Sequence, residues 1–279
     1  MFLDGRGLPS ATLQAIAKEM NFSETTFLLP AETPGTDVRM RIFTPAEELP
    51  TAGHPTIGTT FALARAGVIE RGRKHYVFEC GIGPVPVALT WKGDDLAFAW
   101  MTQSLPTFGD AVQDSPRTAA ALSLAAEAIA AHPAQVVSCG APFLFVPLTT
   151  RSAVDSVKVN NTELDELLTA TSPAAHGVFV FSTEPGDAPA TVYSRMFAPE
   201  LGVVEDPATG IASGPLGCYL VRHKLVPADK ADAMISLQGA KMGRPSHVHI
   251  SIGVEQGEIT SVRVGGEAVL AGEATLYVT

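Results

Sequence analysis

The sequence predicts an α+β protein built from two related halves. Three observations carry this: many short β-rich runs bounded by Gly and Pro, two prominent helices that open on turns of small residues, and one strand–turn–helix unit that occurs twice. With 279 residues, 46% hydrophobic and 17% charged, the chain is long enough for about two packed domains, because single cores rarely grow beyond roughly 250–300 residues.

The spacing predicts a first helix from Pro9 to Met20. Leu13, Ile16, Ala17 and Met20 form its apolar stripe, and Asn21 suits the left-handed position that ends a helix. Ser23 to Leu29, rich in β-branched and aromatic residues, is a strand, and Asp37 to Thr44 alternates with period two as a second. Thr51-Ala-Gly-His-Pro-Thr-Ile-Gly opens a helix through Ala66, stopped by Gly67, and short strands follow through Met101. The polar stretch 104–118 is expected to cross between the halves, ahead of an Ala-rich helix over about 117–131. Strands near 135–139 and 143–148, a helix near 161–170 and strands at 177–182 and 190–197 come next. A turn-helix unit over 206–223 and β segments at 246–254, 258–264 and 273–279 complete the chain. The expected division is 1–104, joined by a last strand at about 265–279, and 105–264. Regular βαβ spacing and a G-x-G-x-x-G turn are both lacking, which argues against a dinucleotide fold.

The repeat is specific. Arg41-Ile-Phe-Thr-Pro45 matches Arg195-Met-Phe-Ala-Pro199, and Thr51-Ala-Gly53 matches Ala208-Thr-Gly210 after a three-residue insertion. Each copy runs strand, acidic loop, small-residue turn, helix. Small residues there let a ligand approach N–H groups that lack intrahelical partners, where the helix dipole adds partial positive charge. Two such ends facing each other make a pocket for a carboxylate and for an enolate-like charge beside it. A proton shift next to a carboxylate needs that stabilisation and an acid/base group, and it needs no metal.

Composition narrows the partners. A net charge of −10 and a pI near 5.1 argue against a nucleic-acid ligand. No run approaches the roughly 20 apolar residues of a membrane helix, and MFLDGRGLPS does not read as a signal peptide. Cys80, Cys139 and Cys218 are odd in number and far apart, which fits a reducing cytoplasm better than a disulfide or zinc framework. Gly81-Ile82-Gly83 is expected as a hairpin turn, and His247 and His249 on the exposed face of a strand.

Four segments resemble the phenazine-biosynthesis PhzF-like family: N-F-S-E-T-T-F from Asn21, F-T-P-A-E-E-L-P-T-A-G-H-P-T-I-G from Phe43, R-M-F-A-P-E-L-G-V-V-E-D-P-A-T-G-I-A-S-G-P from Arg195, and G-R-P-S from Gly243. They occur in order along nearly the whole chain. The resemblance implies two pseudo-symmetric diaminopimelate-epimerase-like domains, each a curved, mostly antiparallel sheet around a central helix. It further implies a homodimer, an active site between the domains, and cofactor-independent general acid/base proton transfer on a small carboxylate. The family's named member isomerises trans-2,3-dihydro-3-hydroxyanthranilate. By the same resemblance the catalytic carboxylate is Glu24, which on its own reads as a solvated residue. His54 and Asp206, otherwise a turn residue and a helix cap, join it as catalytic groups. Gly53, Gly210 and Ile211 bind substrate.

Two departures from the family pattern bear on function. Ile211 stands where the family usually has Ser, which makes the pocket more apolar; Ser213 would point elsewhere. The family's opening strand lies before the segment matching Phe2-Leu3-Asp4, so either the start is truncated or mis-assigned or the first sheet lacks a strand. Racemases of this fold carry a Cys at each turn, but Ala52-Gly53-His54 and Ala208-Thr209-Gly210 hold those places here and Cys218 falls two turns into the helix. The expected activity is therefore an isomerase, with an epimerase on the same scaffold or a non-catalytic binder as alternatives. Burial is expected to raise the Glu24 pKa toward neutrality.

Overall fold

In the computed structural model, which describes all residues except 173, 185, 187, 188, 278 and 279, helix α1 (Ser10–Met20) closes with Asn21 in the left-handed conformation, its N–H bonded to the Ala17 carbonyl. Strands β1 (Thr25–Leu29), β2 (Val38–Phe43) and β3 (Glu48–Leu49) follow, then α2 (His54–Arg65) and strands β4 (His75–Cys80), β5 (Gly83–Lys92) and β6 (Asp95–Gln103). The second half begins with β7 (Thr107–Val112), α3 (Ser115–Ala121), β8 (Ala134–Ser138), β9 (Pro142–Pro147), α4 (Arg151–Ser156) and α5 (Asn161–Thr171). It continues with β10 (Val178–Ser182), β11 (Val192–Ala198), β12 (Val203–Asp206), α6 (Gly210–Arg222), β13 (Met234–Gln238), β14 (Ser246–Glu255) and β15 (Glu258–Gly266).

The repeat extends far beyond the residues that revealed it. In the first half β1–β2, β4–β5 and β5–β6 pair antiparallel and β2–β4 parallel. In the second, β10–β11, β13–β14 and β14–β15 pair antiparallel and β11–β13 parallel. The equivalent strands β6 and β15 pair antiparallel with each other, so the two sheets are one continuous ladder with a local two-fold axis at the seam. Side chains repeat as well. Arg41 forks onto Glu48 at 2.7 and 2.6 Å, and Arg195 onto Glu205 at 2.9 and 2.8 Å, each tying the short strand to its neighbour. Each guanidinium also lies over the Phe two residues on, at 5.0 Å from Phe43 and 4.7 Å from Phe197.

Each half buries its central helix against the concave face of its sheet. Around α6, Leu216, Cys218, Tyr219 and Leu220 are wholly buried against β8, β9, β14 and β15. Around α2, Ile57 and Leu63 pack with Phe78, Val87 and Met101. Burying one such aliphatic side chain is worth about 1.5–3 kcal/mol, so these two helices anchor the halves. Among the described residues no helix is long and apolar enough to cross a membrane.

Three sequence expectations require correction, and one helix, α4, was not expected. The stretch 104–118 is not merely a connection: it contains β7, an edge strand paired with β8. The Ala-rich helix stops at Ala121, because Ser123 turns left-handed (φ 54°) and Ile129 bridges Leu148 like a strand residue. A strand over 273–279 does not form across 273–277, and 278–279 lie outside the described residues. Both edges of β15 are already occupied, by β14 and β6, so the chain leaving Gly266 meets no free ladder. Helix α4 carries no clear periodic signal; Thr150 caps it by accepting from the Ala153 N–H. Where β10 has β9 beside it, β1 has a parallel bridge from Phe2 to Phe27.

Candidate active site

The helices α2 and α6 meet N-terminus to N-terminus. A Cβ on Gly53 would lie 2.5 Å from the Gly210 Cα and the Ile211 nitrogen, and a Cβ on Gly210 would lie 3.0 Å from the Gly53 Cα. Only glycines allow this backbone-to-backbone approach. It brings together two sets of N–H groups that have no partner in their own helices, and two positive dipole ends. Beside the junction opens a narrow cleft of about 50 Å³, lined by Glu24, Gly53, His54, Asp206, Gly210 and Ile211. All six residues singled out from the sequence thus share one cavity.

His54 is the first residue of α2, and its ring spans the two halves. Nδ1 donates to the Ala208 carbonyl of the second half at 2.9 Å. That bond fixes the proton on Nδ1 and leaves Nε2 to face Glu24, whose Oε2 lies 2.9 Å away. The approach is off the hydrogen-bond axis, so Oε2 is a buried oxygen held by charge, with no aligned donor. Glu24 arrives on the segment leading into β1, its side chain only 12% exposed, and the Ser23 hydroxyl is 3.4 Å from Nε2.

Asp206 ends β12 with 3% of its surface exposed. Oδ2 accepts from the Thr209 hydroxyl at 2.6 Å, while Oδ1 is buried without a partner. The turn is clamped by Gln238, wholly buried on β13: its amide nitrogen donates to the Asp206 carbonyl and the Thr209 hydroxyl, and its oxygen accepts from the Thr209 N–H. Asp206 therefore holds the turn ahead of α6 through Thr209, and its second oxygen stays available. Ser213 bonds its own helix, donating to the Thr209 carbonyl at 2.9 Å, and offers nothing to the cleft.

The electrostatics differ from expectation at Glu24. Burial pushes its carboxyl up, but the positive charge of the adjoining His54 ring and the Ser23 hydroxyl outweigh it, so the pKa falls below the ordinary carboxylate value. The expected rise is found at Asp206, where burial and the like charge of Glu24 prevail over the attraction of His54. His54 itself goes up to about 9: burial opposes its charge, but Glu24, Asp206 and the Ala208 carbonyl overcome this. At neutral pH the site holds an imidazolium between two acids of unequal strength.

A raised histidine pKa is also a stability statement. Its contribution is complete below the unfolded value near 6.5 and disappears as pH climbs through about 9. Urea unfolding of the wild type and of His54→Asn is expected to show a difference of about 1–3 kcal/mol at pH 6, reduced for partial solvent screening, that shrinks toward pH 9.5. A difference independent of pH would contradict the ion pair.

The twofold frame makes the asymmetry of the chemistry explicit. Gly53 and Gly210 are equivalent, 157 residues apart, but at the same offset His54 faces Ile211 and Leu49 faces Asp206. Thr209 and Phe143, which also line the cleft, and Gln238, which clamps the turn, were not singled out from the sequence. Thr209 lies inside the repeated turn and could have been found there; Gln238 and Phe143 come from distant strands and carry no local signal.

The chain matches the family model described as phenazine biosynthesis-like protein, PhzC-PhzF, over residues 1–274. It is 36% identical to an uncharacterized isomerase of Mesorhizobium japonicum, covering 99% of this chain and 92% of that one. It is 32% identical to the trans-2,3-dihydro-3-hydroxyanthranilate isomerase of Pseudomonas aeruginosa, again over 99% and 92%. Its fold superimposes on the crystal structure of a Bacillus anthracis PhzF-family phenazine biosynthesis protein with a TM-score of 0.84 at 27% identity, covering 99% and 91% of the two chains.

Proposed function

For a chain that belongs to the phenazine biosynthesis-like PhzC-PhzF family and is an isomerase by class, we propose a cofactor-independent proton shift on a small carboxylate, run by Glu24 in the cleft between the two helix ends. One observation carries this: two buried acids, shifted in opposite directions, share one cleft with a single His54 ring whose orientation is fixed by its Nδ1 bond to the Ala208 carbonyl. Glu24, ionised and without an aligned donor on Oε2, takes the proton from a substrate carbon and returns it to another. The N–H groups near Gly53 and Gly210 stabilise the negative charge that develops meanwhile. His54 holds the carboxylate ionised, and Asp206 presents Oδ1 to a polar substituent.

Ile211 stands where the family pattern usually has Ser, and it narrows the substrate this cleft suits. An aliphatic side chain at the mouth of α6 favours a ligand that is apolar along that edge, since a buried polar group there would have no partner. The test is incubation with trans-2,3-dihydro-3-hydroxyanthranilate and a panel of unsaturated cyclic carboxylates in deuterated water. At least one is expected to give a double-bond isomer carrying up to one solvent deuterium. Thermal stabilisation by these ligands with no product from any would make the protein a binder instead.

A further inference from the structure

Cys139 and Cys218 lie 79 positions apart in sequence, yet their Sγ atoms are 3.9 Å apart in the core of the second half. Cys139 follows β8 and Cys218 lies midway along α6; both are at least 96% buried. We infer that this pair is an oxidation site, at which a small peroxide converts the folded protein's two thiols into one disulfide tying α6 to the end of β8. A disulfide needs a sulfur separation of about 2.05 Å, so about 2 Å of approach must come from side-chain rotation and a small helix shift.

The route for the oxidant is a second cavity. It is a surface-open cleft of about 200 Å³ lined by Cys139, Ile82, Pro84, Met101 and Gln103, and it shares Thr51 and Ile211 with the proposed active cleft. Its walls mix apolar side chains with uncharged polar ones such as Thr51 and Gln103, and suit a small uncharged molecule such as hydrogen peroxide or an alkyl hydroperoxide. Cys139 is the thiol that lines it, and Cys218, wholly buried behind, is the resolving partner. The Cys139 thiolate attacks one peroxide oxygen and breaks the O–O bond, giving a sulfenic acid and water or an alcohol. Cys218 then attacks that sulfur, and the hydroxyl leaves as water. Two thiols lose two electrons and two protons, and the peroxide is reduced.

Chemistry here is slow at neutral pH. The hydrogen bond between the thiols and their burial push the Cys139 pKa up, and the thiolate is the attacking species. The rate is therefore expected to rise about tenfold per pH unit through the accessible range. Cys80, buried in the other half with a pKa pushed up to about 12, has no thiol neighbour among the described residues and serves as the internal control.

The experiment treats the native chain with hydrogen peroxide at pH 7 and pH 8.5, alkylates it after unfolding, and maps the peptides by mass. The expected result is a loss of two mass units, a cross-linked peptide pair containing residues 139 and 218, an alkylated Cys80, and reversal by dithiothreitol. Cys80→Ser should behave like the wild type, and Cys218→Ser should stop at a sulfenic acid on Cys139 that dimedone traps. Equal reactivity of all three thiols, cross-links between chains, or a 139–218 bond that forms only in urea would each overturn the proposal. None of these readouts depends on the substrate or on the isomerase assignment.

Discussion

Glu24→Gln is expected to lower turnover by about 10³-fold while leaving the fold and carboxylate binding in place. General acid/base groups typically contribute 10²–10⁴ in rate, and the amide is nearly isosteric with the carboxylate but takes no proton. The change should also be visible away from the substrate. Without the opposite charge 2.9 Å away, His54 loses the largest of the influences that raise it and should titrate well below about 9 in an NMR experiment on the ring protons. Calorimetry with a carboxylate ligand separates chemistry from binding: a lost kcat with a nearly constant Kd is the expected pattern. Near-wild-type turnover in the variant would remove Glu24 from the mechanism altogether.

Gly53→Ala is expected to be the most damaging methyl group that can be added to α2. The new Cβ would sit 2.5 Å from the Gly210 Cα and the Ile211 nitrogen, and both are backbone atoms that no rotamer change can move aside. Forcing them apart costs about 1–3 kcal/mol of stability, as overpacking generally does. It also moves the two amide sets relative to each other, and a misplacement near 1 Å can cost about 10²-fold in rate. Gly58→Ala is the matched comparison. It lies one turn further along the same helix, with nothing within 4 Å of its Cβ position, and should gain about 0.5–1 kcal/mol from helix propensity and unfolded-state entropy. If the two variants lose stability equally, the tight junction is not what Gly53 serves.

Much of the architecture could be read directly. α1 followed from its apolar stripe and Asn21, and the duplication followed from Arg41 and Arg195 standing in matched phrases. The structure then added the Glu48 and Glu205 partners, offset by the three-residue insertion, and the Phe43 and Phe197 platforms; the two Glu partners have no meaning until β3 and β12 fold back. β7 was missed because a polar edge strand with a shifted register leaves little alternation to detect. The Ala-rich helix was extended too far because propensity says nothing of Ser123 turning left-handed or of Ile129 joining Leu148.

At the site, residue identity was more legible than electrostatics. Gly53 and Gly210 follow from the turn chemistry, whereas Glu24 stood out only through the family resemblance. The direction of its titration was misjudged, since the deciding imidazole comes from residue 54 and its orientation from residue 208. A carboxylate's pKa depends on neighbours from other segments, and sequence spacing does not report them.

The seam between β6 and β15 bears on how the molecule assembles itself. The paired residues, Gln103 with Val262 through Ala99 with Gly266, are separated by 159 to 167 positions along the chain. Bringing such distant segments together carries a loop-closure entropy that local hairpins do not, so ladders such as β4–β5 and β14–β15 have the kinetic advantage. The central strand pair is then the last to zip. A nascent chain exposes the bare edge of β6 for as long as synthesis takes to deliver β15, and that edge is the point at which a partly made molecule is open to mispairing.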